Sequence, residues 1–187
     1  MLYELSYYLN RISPFMYLCI IGVFIHCAVR ERKKYICGDM SFSAAAARTL
    51  FPPYVLFLLL LTIFIRLPDN EISFELVPFL SYREAFKSGD EALIFQYIGN
   101  ILIFIPFGFL LPACAFSIKR RRLSMKETVV IGLFVSLFIE IFQLVTRFGT
   151  FEVDDIINNF IGVITGCIIF AIIKVFAKLI NKKDDKI

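Results

Sequence analysis

Residues 139–160 read IEIFQLVTRFGTFEVDDIINNF, and their polar members have the types and spacing of a site. Glu140, Gln143 and Arg147 stand at i, i+3 and i+7, so they share one helix face with Ser136 below them. Asp154 and Asp155 open a second apolar run after a short turn, where a helix N-terminus favours negative charge. Asp155, Asn159, Gly162 and Gly166 then fall on one face at steps of four, three and four, with Asn158 as the alternative amide. Carboxylates on two helices suit general-base work on a lipid headgroup, with Glu140 or Asp155 as the base. The same groups, taken with the amides and the guanidinium, suit a polar pocket that only binds. No Ser–His pair lies near them, and the one histidine, His26, is far along the chain. No catalytic nucleophile, metal site or cofactor is therefore expected.

The elements that carry these residues are apolar throughout. The chain has 187 residues, 59% of them hydrophobic, with 22 phenylalanines. Soluble domains run at about 45–50% apolar, so this excess points to a membrane protein. The apolar residues come in five blocks, roughly 13–29, 49–65, 94–116, 128–146 and 156–176, and a spanning helix needs about 20 such residues. The fold class is thus all-α, a polytopic membrane bundle of about five spans forming a single membrane domain, 1–187. The first block has little positive charge before it and RERKK after it, which reads as an uncleaved span rather than a signal peptide. The five cysteines show no zinc spacing and no disulfide framework, so they read as small packing residues.

Basic residues set the orientation, because Lys and Arg are retained on the cytoplasmic side. Successive loops place 15 of them on one side and 5 on the other, which predicts the N-terminus outside and the C-terminus inside. The acids gather on the opposite, outer side, in the loop 66–93 and around Glu152. The basic face points to anionic membrane lipids as partners and nothing points to nucleic acid. In loop 66–93, RLPDN is a turn signal, and the segment after Pro78 reads either as an amphipathic helix in the headgroup plane or as a plain surface loop. SFSAAAAR predicts a short helix from Ser41 or Ser43.

On this topology the fourth span runs outward, and Glu140 lies ~10 Å below Arg147 at 1.5 Å per residue. A charge at that depth must face protein or a water-filled cavity and have a partner. The fifth span, joined by a short turn, is its antiparallel neighbour. In the third span Asn100 lies near the outer end, and Pro106 removes a backbone donor, so it should bend the helix and free the carbonyl of Leu102. Asn100, Glu140, Gln143, Arg147, Asp155 and Asn159 can then converge on a polar pocket opening outward. An architectural reading also fits: Glu140 with Arg147 as a register-fixing ion pair, and Asn159 as an interhelical hydrogen bond of about 0.6–2 kcal/mol. Gly162 and Gly166 form a small-xxx-small seam for a neighbouring helix.

NILIFIPFGFLLP (100–112), E-x-x-Q-x-x-x-R (140–147), DDIINNFIG-x-x-x-G (154–166) and LVPF (76–79) together resemble, in order, the motifs of the VanZ-like family of small bacterial membrane proteins. Glu75 stands where that family often carries an amide. The resemblance implies a multi-pass protein of the bacterial cytoplasmic membrane, cell-envelope biology and lowered susceptibility to teicoplanin, a lipoglycopeptide. It implies no particular reaction. It nominates Asn100, Pro106, Gly108, Glu140, Gln143, Arg147, Asp155, Asn159 and Gly162. The expected partners are a lipid-linked envelope precursor, a lipoglycopeptide or an envelope-synthesis protein. An enzyme on a lipid headgroup is the alternative, and a transporter or flippase subunit the third reading.

Overall fold

The computed structural model describes residues 13–64, 73–89, 91–118, 123–147 and 149–184. Arg66, the RLPDN turn and the basic run 119–122 lie outside the described residues. Six helices lie among the described residues: α1 Pro14–Ile36, α2 Phe42–Phe64, α3 Leu80–Ser88, α4 Glu91–Ile118, α5 Met125–Thr146 and α6 Val153–Asp184. Two short strands, β1 Phe74–Glu75 and β2 Phe151–Glu152, pair in parallel with Phe74 against Phe151 and Glu75 against Glu152. All the helices except α3 are long and apolar enough to cross a membrane, and many of their large side chains, such as Phe134, Phe138 and Ile172, are exposed. Lipid is the medium in which such surfaces are stable.

Local sequence explains where the helices start. Ser13 caps α1, with Pro14 in its first turn where a missing N–H costs nothing. Ser124 and Glu127 form a reciprocal capping box on α5, Ser124 Oγ accepting from the Glu127 N–H at 3.1 Å and Glu127 Oε2 from the Ser124 N–H at 2.8 Å. The helices outrun the apolar blocks. RERKK is the last part of α1 rather than a loop, and SFSAAAAR is no separate helix but the start of α2, where Ser41 Oγ accepts from the Ala44 N–H at 3.4 Å. α2 continues through Pro52 and Pro53, and α4 through Pro106 and Pro112. Beside Pro106 the Tyr54 hydroxyl donates to the Ile103 carbonyl at 2.5 Å, binding α2 to the proline turn of α4. After Pro78 the chain is helical: in α3, Ser81 and Ala85 are buried while Arg83, Glu84 and Lys87 are exposed.

The most extensive helix interface joins α4 and α6. A Cβ on Gly162 would stand 2.3 Å from the Ile101 carbonyl oxygen, one on Gly166 2.1 Å from that of Ile105, and one on Gly108 2.1 Å from that of Val163. The partners advance together along the two helices, so α4 and α6 lie parallel with their backbones in contact. α5 packs antiparallel on α6, with Gly132 against Val163 and Ser136 against Asn159. Leu58, Phe104, Phe107, Ile139, Val163 and Cys167 form the core among α2, α4, α5 and α6.

Candidate functional site

One end of the bundle gathers the last turns of α2 and α5, the first turns of α4 and α6, the two strands and α3. Glu140, Gln143, Asp154, Asp155, Asn158 and Asn159 are all buried there, none more than 4% exposed. Each holds a group that the backbone or another helix would otherwise leave unsatisfied. Gln143 Nε2 donates to the Thr62 carbonyl at 2.6 Å, tying α5 to α2. Glu140 Oε2 accepts from the Glu152 N–H at 3.1 Å, fixing β2 to α5. Asp154 Oδ1 accepts from the Phe79 N–H at 2.7 Å, holding the N-cap of α3 in a left-handed conformation at φ 64°. That conformation is costly for a phenylalanine, so a specific anchor is needed.

Across the helices, Asn100 Nδ2 donates to Asp155 Oδ1 at 2.5 Å and Asn159 Nδ2 to Ser136 Oγ at 2.8 Å. The Tyr82 hydroxyl donates to Asn158 Oδ1, and the Ser81 hydroxyl donates to Glu75 Oε2 at 2.7 Å. Tyr82 also stacks on the buried Tyr97, their ring centroids 4.3 Å apart. Burial pushes the Tyr82 phenol above its ordinary pKa, and the charges of Asp154 and Asp155 add to this.

Among the described residues, four buried atoms in this shell have no hydrogen-bond partner: Gln143 Oε1, Asp154 Oδ2, Asn158 Nδ2 and Asn159 Oδ1. Three accept and one donates. Arg147 is not among the buried residues. α5 ends at Thr146, and Arg147 takes a left-handed turn at φ 59° as the C-cap, with its side chain exposed. The ion pairs among the described residues do not include it. No group of three or more His, Cys, Asp or Glu side chains is placed to hold a metal ion among the described residues.

Residues 51–174 match the family model described as VanZ/LLP1. The chain belongs to the VanZ/LLP1 family. No curated protein and no solved structure matches it. The family match contains every polar residue of this cluster, from Thr62 to Asn159, and with its five apolar helices the protein is a multi-pass membrane protein of the VanZ type. The match excludes α1 and the start of α2.

Among the described residues, five buried polar side chains lie outside the nominated set: Glu31, Ser81, Thr128, Ser136, which shares the Glu140 face, and Asn158, the alternative amide. Asn158 is as deeply buried as Asn159, because successive residues at the first turns of α6 meet α3 on one side and α5 on the other. Glu31, in the basic run of α1, is fully buried against Arg30, Lys34 and Arg48. Its signal was the helical step from Phe24 through Cys27, four residues before it, to the apolar face of α1.

Proposed function

We propose that this VanZ/LLP1 protein works in the cytoplasmic membrane of a bacterium and lowers susceptibility to glycopeptide antibiotics such as teicoplanin. It does so by engaging a lipid-linked envelope component, or a partner of envelope synthesis, at the buried polar cluster, which faces outward on the charge asymmetry of the loops. The observation that carries the reading is the set of four unpartnered atoms on Gln143, Asp154, Asn158 and Asn159. A buried polar atom left unpaired costs about 1–3 kcal/mol, so four at one end of a bundle exceed what helix packing requires. A headgroup bearing hydroxyls or amines supplies the donors that three of these atoms lack, and an acceptor for the fourth. Binding is favoured over catalysis, because Asp155 accepts from Asn100 and Glu140 from a backbone N–H.

The test is expression in a susceptible bacterium with the inhibitory concentration of teicoplanin measured. The wild-type chain raises it, and Glu140→Gln at an equal membrane level does not. An unchanged inhibitory concentration with the wild-type chain overturns the proposal.

A further inference from the structure

The opposite end of the bundle carries a second charge centre. Glu31 is 0% exposed, and Arg30 Nε lies 2.7 Å and Lys34 Nζ 3.8 Å from its Oε1, with Arg48 Nε 3.4 Å from Oε2. Three cations meet one carboxylate, so two positive charges remain unbalanced. The Arg30 and Lys34 side chains are still 48% and 40% exposed, while that of Arg48 is 13% exposed. The two arginines reach Glu31 through Nε.

Next to this centre, toward the middle of the helices, an apolar recess of about 430 Å³ is lined by Ile20 and Phe24 of α1, Leu50, Tyr54 and Phe57 of α2, and Leu110 of α4. Recess and charge centre are consecutive along two helices. On α1, Ile20, Phe24, Cys27 and Glu31 follow at helical steps along one face. On α4, Cys114 is one turn beyond Leu110 and within electrostatic reach of Arg48, Glu31 and Arg30.

We infer that this is a binding site for an anionic glycerophospholipid of the surrounding membrane. One acyl chain occupies the recess, the phosphate sits on Arg30 and Lys34, and Glu31 holds the cations in place. The excess of positive charge at the mouth of an apolar slot selects an anionic lipid over a zwitterionic one. Arg30, Glu31, Lys34 and Arg48 precede the family-matched region, while Tyr54, Phe57 and Leu110 of the recess lie within it; the site lies at the other end of the bundle from the polar cluster and does not depend on the function proposed for it.

The experiment is native mass spectrometry of the full chain in detergent, titrated with phosphatidylglycerol and with phosphatidylcholine. The wild type binds phosphatidylglycerol more tightly. The double variant Arg30→Gln/Lys34→Gln weakens phosphatidylglycerol by roughly fivefold for each cation removed and leaves phosphatidylcholine unchanged. Leu110→Trp, which fills the recess, weakens both lipids. Arg48 still faces Glu31 in the double variant, and the single variant Lys34→Gln gives the same reading should the double one not fold. Equal affinity of the wild type for the two lipids, an undiminished preference in the variants lacking cations, or wild-type binding by Leu110→Trp overturns the inference.

Discussion

Asn100 on α4 donates to Asp155 on α6 across 2.5 Å, at the end where these two parallel helices enter the bundle. Below it the same two helices touch backbone to backbone at Gly162 and Gly166. The hydrogen bond therefore fixes the register that the glycine seam requires. Asn100→Leu leaves Asp155 Oδ1 without that donor, and hydrogen bonds to charged groups contribute about 1.5–3 kcal/mol. Thermal unfolding in detergent should show a lower midpoint for Asn100→Leu, and Asn100→Gln should lie between it and the wild type. An unchanged midpoint in Asn100→Leu would show that the bond contributes nothing to the seam.

The seam itself gives a sharper contrast. Gly162→Ala places a methyl group 2.3 Å from the Ile101 carbonyl oxygen, which is backbone and cannot move aside cheaply, whereas nothing lies within 4 Å of a Cβ at Gly22. Overpacking of this kind costs about 1–3 kcal/mol or more. Gly162→Ala should lower the yield of folded protein while Gly22→Ala leaves it unchanged or improved by helix propensity. Equal yields would mean that α4 and α6 do not approach this closely.

Much of this arrangement was legible in the residues, and the reasons for the exceptions are local. Apolar blocks locate spanning helices because lipid demands them, and the i, i+3 step brought Glu140 and Gln143 to one buried face. Arg147 shared that projection only as long as the helix continued. Its left-handed φ at the cap swings it off the face, and nothing in a periodicity announces where a helix stops by such a turn. The same limit hid Glu31, because a run of five charged residues looks like a loop until α1 is seen to extend to Ile36. Hydrogen bonds such as Phe79 N–H to Asp154 and Tyr82 to Asn158 join residues some 75 positions apart, beyond the reach of local spacing. The parallel pairing of β1 with β2, two residues each, is too short to leave a pattern.

Tyr82 links the cluster to pH. Its phenol titrates above the ordinary value of 10.0 in the folded protein, so the folded state holds this proton more tightly than the unfolded chain does. The stabilisation is fully present below pH 10.0 and is lost as pH rises through the folded value. Chemical unfolding across the alkaline range should therefore show stability falling with pH above about 10, and Tyr82→Phe should make that fall shallower. An identical slope in the variant would place the alkaline transition elsewhere.

Burial of Glu31 predicts an asymmetry between two conservative changes in acidic residues. Removing the charge strips the counter-ion from Arg48, and breaking a buried pair from one side is destabilising by about 3–5 kcal/mol in fully buried cases, less here because Arg30 and Lys34 remain half exposed. Glu31→Gln should lower the unfolding midpoint, whereas Glu84→Gln on the exposed face of α3 should not. Matching midpoints would show that the Glu31–Arg48 pair does not hold α1 to α2.

The central claim is that the unpartnered atoms of the polar cluster bind something. Asp154→Asn addresses it with the least disturbance, since Oδ1 still accepts from the Phe79 N–H while the unpartnered acceptor Oδ2 becomes an amide donor. The measurement is teicoplanin susceptibility of cells carrying this variant, at a membrane level and unfolding midpoint equal to wild type. A stable protein that no longer lowers susceptibility is the predicted result. A stable variant that protects as well as the wild type would contradict the claim and leave the cluster as architecture.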